Sequence, residues 1–84
     1  MNYGTPSGKA ARAIRAILAD RGESIESLAN GTGIALSTLK RRLLGAPFTL
    51  DEVGLIAEYF GTSIANVITP INERVVVDAA KDVA

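Results

Sequence analysis

Residues 24–45, SIESLANGTGIALSTLKRRLLG, decide how this chain folds. Ile25, Leu28 and Ala29 recur at the i, i+3, i+4 interval that places side chains on one face of a helix, and Ser24 before them is a good N-cap residue. A short helix is predicted to start at Ile25. Gly31 and Gly33 bracket Thr32, and a glycine after the last periodic residue is the usual left-handed terminator of a helix, so the chain turns at Gly33. Beyond the turn Ile34, Leu39 and Leu43 anchor a second helix, which ends at Gly45 with Pro47 close behind. The small Ala29 lets the second helix approach the first, while Ile34 and Leu39 fix the crossing from the core side.

The flanks supply three more helices. On the N-terminal side Met1 to Gly4 is aperiodic, and Thr5 with Pro6 makes a cap and first helical position, unless Ser7 caps one turn later. Ala10, Ile14, Ile17 and Leu18 then keep helical spacing up to Gly22, with Lys9, Arg12 and Arg15 on other faces as solubilising surface or phosphate contacts. On the C-terminal side Thr49 and Glu52 form a T-x-x-E capping box, and Phe48 with Val53 has the spacing of a hydrophobic staple. Leu50, Val53, Ile56, Ala57 and Phe60 are the expected buried stripe of this fourth helix, closed by Gly61. Asp51 and Glu52 complement the helix dipole, which explains the acidic pair without catalysis. Thr62 or Ser63 caps a short fifth helix through Ile64, Val67 and Ile68, stopped by Pro70. Tyr59 reads as an edge-of-core residue, since one aromatic makes no stacking platform.

Eighty-four residues make one small domain with a single core. The chain has neither Cys nor His, which removes disulfides, the commonest zinc ligands, a thiol nucleophile and the commonest general base. Gly31-Thr32-Gly33 lacks the lysine and spacing of a phosphate-binding loop. No enzyme activity, metal, cofactor or small-molecule ligand is expected. No apolar run approaches the ~20 residues that cross a bilayer, so no membrane partner is expected. The basic residues among alanines near the N-terminus resemble a transit peptide, but their pattern continues into the fold and a structural helix is preferred.

The zero net charge conceals an asymmetry. Up to Gly45 seven basic residues face three acidic ones, and from Ala46 on two basic residues face six acidic ones. Such a division suggests a basic working face and an acidic face turned away from it, although ordinary solvated surface is the bland alternative. In the tail, Val75, Val76 and Val77 have strand preference, while Ile71, Val75, Ala79 and Val83 also fit a helical ridge. Three consecutive β-branched residues favour a short strand around Arg74 to Asp78, which needs a partner strand, most economically the same strand from a second chain.

The spacing of Ala29, Gly33, Ile34 and Leu39 resembles the helix-turn-helix of phage repressor and Cro-like (XRE-type) proteins, and the likeness extends from about Lys9 to Ile68. It implies an all-α, five-helix lambda-repressor-like domain over residues 1–70. Residues 71–84 then form a strand-bearing tail in which Arg74, Val75, Val76 and Val77 serve dimerisation, as in small Cro-like proteins. Three positions depart from the family pattern: Thr32 replaces an apolar residue, Ala35 a serine-like cap and Arg42 a core aliphatic, whose contact Leu43 is expected to take over. The resemblance implies that the third helix enters the major groove, with Leu36, Ser37, Lys40 and Arg41 reading bases. Thr38, Arg42 and the backbone amides at Ser24 and Ile25 would contact phosphates. The implied protein is a sequence-specific regulator of transcription in the bacterial cytoplasm that binds double-stranded DNA as a homodimer and represses by occupying a pseudo-palindromic operator. The competing expectation is an antitoxin-like interaction module whose Val75–Val77 segment binds a partner protein instead.

Overall fold

Among the described residues, each helix but one begins where a side chain takes up a loose backbone N–H. The computed structural model describes residues 4–69 and contains α1 (Pro6–Arg21), α2 (Ile25–Thr32), α3 (Leu36–Leu43), α4 (Leu50–Phe60) and α5 (Ile64–Ile68). Thr5 caps α1 by accepting from the Gly8 amide at 3.0 Å, with Pro6 in the first position where its missing N–H costs nothing. Ser7 is used elsewhere: its hydroxyl accepts from the Phe48 amide at 3.1 Å and ties the start of α1 to the approach to α4. Ser24 caps α2 and Ser63 caps α5 through the amides of Ser27 and Asn66. At α4 the box is reciprocal, since Thr49 accepts from the Glu52 amide and Glu52 accepts from the Thr49 amide. The exception is α3, which starts at Ala35 with no side-chain cap.

Three helices end at left-handed glycines, α1 at Gly22, α2 at Gly33 and α4 at Gly61, whereas α3 stops at Leu43 with Leu44 as its cap, short of the expected Gly45, and α5 is capped by Thr69. Gly33 terminates α2 at φ 79°, and its amide donates to the Ala29 carbonyl at 2.9 Å. A residue with a Cβ resists that left-handed conformation, so the sharp reversal before α3 depends on glycine here.

All five helices contribute to one core. Ile14, Leu28, Leu39, Leu43, Ile56 and Val67 are its most deeply buried large side chains, drawn from α1, α2, α3, α4 and α5. Burying each such side chain stabilises by about 1.5–3 kcal/mol before entropy is counted. α1 packs against α3 and α5, α2 against α3 and α4, and α4 against α5. Ala10, Ala11 and Ala13 are all buried on α1, and their small side chains keep the neighbouring helices close.

One expectation about the apolar stripe is corrected. Leu50, expected in the buried stripe of α4, is 76% exposed: it occupies the first position of the helix, one turn before Val53 reaches the core. In α5 Val67 is buried, while Ile64 and Ile68, on the same side of the helix, stay partly exposed where they border an open groove. No strand occurs among the described residues, and the strand expected around Arg74 to Asp78 lies outside them.

Tyr59 is the edge-of-core residue its sequence position suggested, and it locks the α1–α2 turn to the end of α4. Its hydroxyl donates to the Glu23 carboxylate, which also pairs with Arg21. The Arg21 guanidinium lies 5.8 Å from the Tyr59 ring centroid and 5.2 Å from that of Phe60. The hydrogen bond from Tyr59, followed by that from Arg21, holds the Glu23 carboxyl below its ordinary pKa. The ring lies over Gly31, where a Cβ would fall 2.0 Å from Tyr59 Cε1 and 2.3 Å from Cδ1.

Two glycine-to-alanine substitutions should therefore have opposite signs. Gly31→Ala should destabilise by about 1–3 kcal/mol, the usual cost of overpacking, because it displaces a ring anchored at its far end. Gly54→Ala, in the interior of α4 with open space where its Cβ would stand, should stabilise by about 0.5–1 kcal/mol. Urea denaturation of both variants checks the pair; an unchanged Gly31→Ala protein would mean that the ring moves freely.

Candidate nucleic-acid interface

The geometry of α3 is set by which of its eight residues the core requires. Leu39 and Leu43 are fully buried, and Leu36 is half-buried against the same cluster. Helical periodicity then turns Ser37, Lys40 and Arg41, related by i, i+3 and i+4, to the opposite side, and all three are exposed. Thr38 and Arg42 are half-buried on the flank. Leu43 makes the deep core contact expected of it in place of Arg42.

The turn that delivers α3 tolerates its two unusual residues for local reasons. The Thr32 hydroxyl donates to the Leu28 carbonyl at 2.7 Å and accepts from the Ile34 amide at 3.3 Å, so a polar residue in the last turn of α2 is satisfied within the turn. Ala35 provides no cap, and α3 depends on contacts made further along.

Two arginines supply those contacts. Arg15, on α1, donates through Nε and Nη2 to the Leu43 carbonyl at 3.3 and 3.2 Å. This carbonyl belongs to the last turn of α3 and has no partner within the helix, and a cation beside it also opposes the helix dipole. Arg42 pairs with Glu52 at two points, Nε to Oε1 at 2.9 Å and Nη2 to Oε2 at 3.3 Å, joining α3 to the first turn of α4. Glu52 Oε1 also accepts from the Thr49 amide at 2.9 Å, so one carboxylate completes both the capping box and the bridge. The Arg42 hydrogen bonds, with the Thr49 amide, hold the Glu52 carboxyl below its ordinary pKa.

The structure therefore separates the residues expected to touch DNA. Ser37, Lys40 and Arg41 share one exposed face, and neither Lys40 nor Arg41 has an ion-pair partner among the described residues. Leu36 lies nearer the core, while the guanidinium of Arg42 is engaged by Glu52. Ser24 and Ile25 open α2, which packs on α3; the Ser24 hydroxyl is used for the cap, and Ile25 is half-buried. Arg74, Val75, Val76 and Val77 lie outside the described residues. Sequence reasoning did not foresee the role of Arg15, because the carbonyl it holds is 28 residues away and leaves no local signal. Among the described residues no group of acidic side chains is arranged to hold a metal, and no helix is long and apolar enough to cross a membrane.

A profile of the Cro/C1-type HTH DNA-binding domain matches residues 13–73. That span covers most of the chain, and the chain belongs to this family. No curated protein and no solved structure matches it. The five helices and the α2–turn–α3 unit are those of an all-α helix-turn-helix domain, and the chain is a DNA-binding regulator of transcription whose partner is double-stranded DNA.

The bridge at Glu52 should be visible in the pH dependence of stability. A carboxylate whose pKa is depressed by folding contributes stability that is fully present above its unfolded pKa, about 4.3, and is lost as the pH falls through the lower folded value. Wild-type protein should thus lose stability on acidification below about pH 5, and its advantage over Glu52→Gln should shrink over the same range. Thermal melts of both proteins from pH 7 to pH 3 test this. A stability gap independent of pH would show that the ion pair contributes nothing.

Proposed function

We propose that this protein recognises a specific DNA sequence through the exposed face of α3 and represses transcription by occupying a pseudo-palindromic operator as a homodimer in the bacterial cytoplasm. The observation that carries the reading is the Ser37, Lys40 and Arg41 face, which points away from the core and includes two cations without partners among the described residues. In this reading Arg41 or Lys40 donates to guanine O6 and N7, Ser37 pairs with base edges, and Leu36 packs against a thymine methyl at the rim of the groove. Thr38 and the amides at Ser24 and Ile25 contact phosphates. Arg42, expected from sequence to be a further phosphate contact, is assigned instead to holding α3 against α4 through Glu52.

A single small domain of zero net charge offers few phosphate contacts, so dimerisation through Arg74, Val75, Val76 and Val77 doubles the contact set. It also places two half-sites about 34–36 Å apart. Selection of bound duplexes from a random pool at near-physiological salt tests the reading, and enrichment of a two-fold site with one-turn spacing is expected. Enrichment of nothing by folded protein would favour the partner-binding use of the Val75–Val77 segment.

Two arginine variants separate reading from positioning. Arg41→Ala should relax base preference at one position of each half-site at a cost of ~1–3 kcal/mol. Arg42→Ala should lower thermal stability while leaving sequence preference unchanged. Equilibrium binding to the selected site and to single-base variants, alongside melting curves, distinguishes them. A loss of base preference in Arg42→Ala with unchanged stability would reverse the assignment.

A further inference from the structure

Between the N-terminal end of α1, the start of α4 and α5 runs an apolar groove of about 750 Å³. Ala10, Phe48, Leu50, Val53, Ile64 and Ile68 line it, and three of these, Leu50, Ile64 and Ile68, are large apolar side chains 76%, 40% and 38% exposed. A contiguous apolar patch of this kind on a small domain marks a surface that something covers. Thr69, the last described residue, also lines the groove, and from it the chain continues through residues 70–84. The next stretch is Ile71-Asn72-Glu73-Arg74-Val75-Val76-Val77. In an extended chain alternate side chains share a face, which groups Ile71, Glu73, Val75 and Val77.

We propose that the chain's own segment Ile71–Val77 lies extended in this groove, with Val75 and Val77 against Leu50, Ile64 and Ile68. The proposal rests on the dimeric reading above and deepens it. A two-stranded ribbon with one strand from each protomer is marginal in water unless one face packs on something apolar, and a helical bed is one of the few that serves. The groove is that bed. Each strand laid in it keeps one open edge of backbone N–H and C=O groups, and the partner's strand pairs with that edge. The chain's own segment takes the groove ahead of its partner's because it enters directly from Thr69. A tethered segment meets its site at an effective concentration in the millimolar range, well above micromolar protein.

The absence of cysteine from the chain makes the test direct, since introduced thiols are the only ones present. Val75→Cys is combined in turn with Leu50→Cys, Ile64→Cys and Ile68→Cys, all exposed positions whose replacement spares the core. The products of mild oxidation are separated on a denaturing non-reducing gel beside the single variants. The expected result is an intramolecular disulfide in at least one pairing, formed at a rate unchanged over a tenfold dilution. A disulfide-linked dimer that needs both thiols would place the partner's segment in the groove and overturn the proposal. No disulfide in any pairing would overturn it as well, since a bond requires Cα atoms within about 7 Å. Val76→Cys alone, on the opposite face of the segment, reports on dimerisation separately. A Val76→Cys dimer without the intramolecular bond leaves the dimer standing and removes the groove assignment, and the opposite pattern keeps the groove and removes the strand-paired dimer.

Discussion

The fold depends on the burial of Leu39 and Leu43. An isolated helix of eight residues is well below the length at which helices hold themselves in water, and α3 begins without a side-chain cap. Its stability must come from packing, and those two leucines are the residues it commits fully to the core. The surrounding helices are placed accordingly: α1 and α2 both pack against α3, with Ile14 and Leu28 in the same cluster. Arg15 and Glu52 secure what the leucines leave loose, one at the final carbonyls and one along the flank. A helix that could not exist alone is thereby held in a single orientation.

Features decided within four residues were legible in the sequence. Ser24, the Thr49 and Glu52 box, and the glycines at 22, 33 and 61 act through backbone groups one turn away, and each does locally what its residue type and position suggested. Where two caps competed, the choice required tertiary context, because Ser7 lost the first cap by being drawn to Phe48. The outward face of α3 was not legible from spacing alone: the resemblance grouped Leu36 with Ser37, Lys40 and Arg41, and only the burial of Leu39 and Leu43 separates the exposed three from the half-buried Leu36 and Arg42.

The remainder was set by partners distant in the chain. Nothing near Arg15 indicates the Leu43 carbonyl, and nothing near Gly31 indicates the ring of Tyr59. Arg42 looked like one more cation in a basic run, but the flank of α3 brings it within reach of a carboxylate that its own helix start already required. The period-based reading of Leu50 failed for a related reason. Spacing identifies the face of a helix, yet burial at its first turn depends on what stands opposite, and there the neighbouring helices leave an opening.

On α3 the side chains that maintain the fold and those that meet the solvent are different residues on opposite sides of a short cylinder. Exposed positions away from caps and buried partners tolerate exchange within about 0.5 kcal/mol, so Ser37, Lys40 and Arg41 are free to change identity at little thermodynamic consequence. Leu39, Leu43, Arg15 and Arg42 have no such latitude. Heritable variation in what this surface binds can therefore accumulate independently of whether the chain folds, and one scaffold can carry many alternative readers.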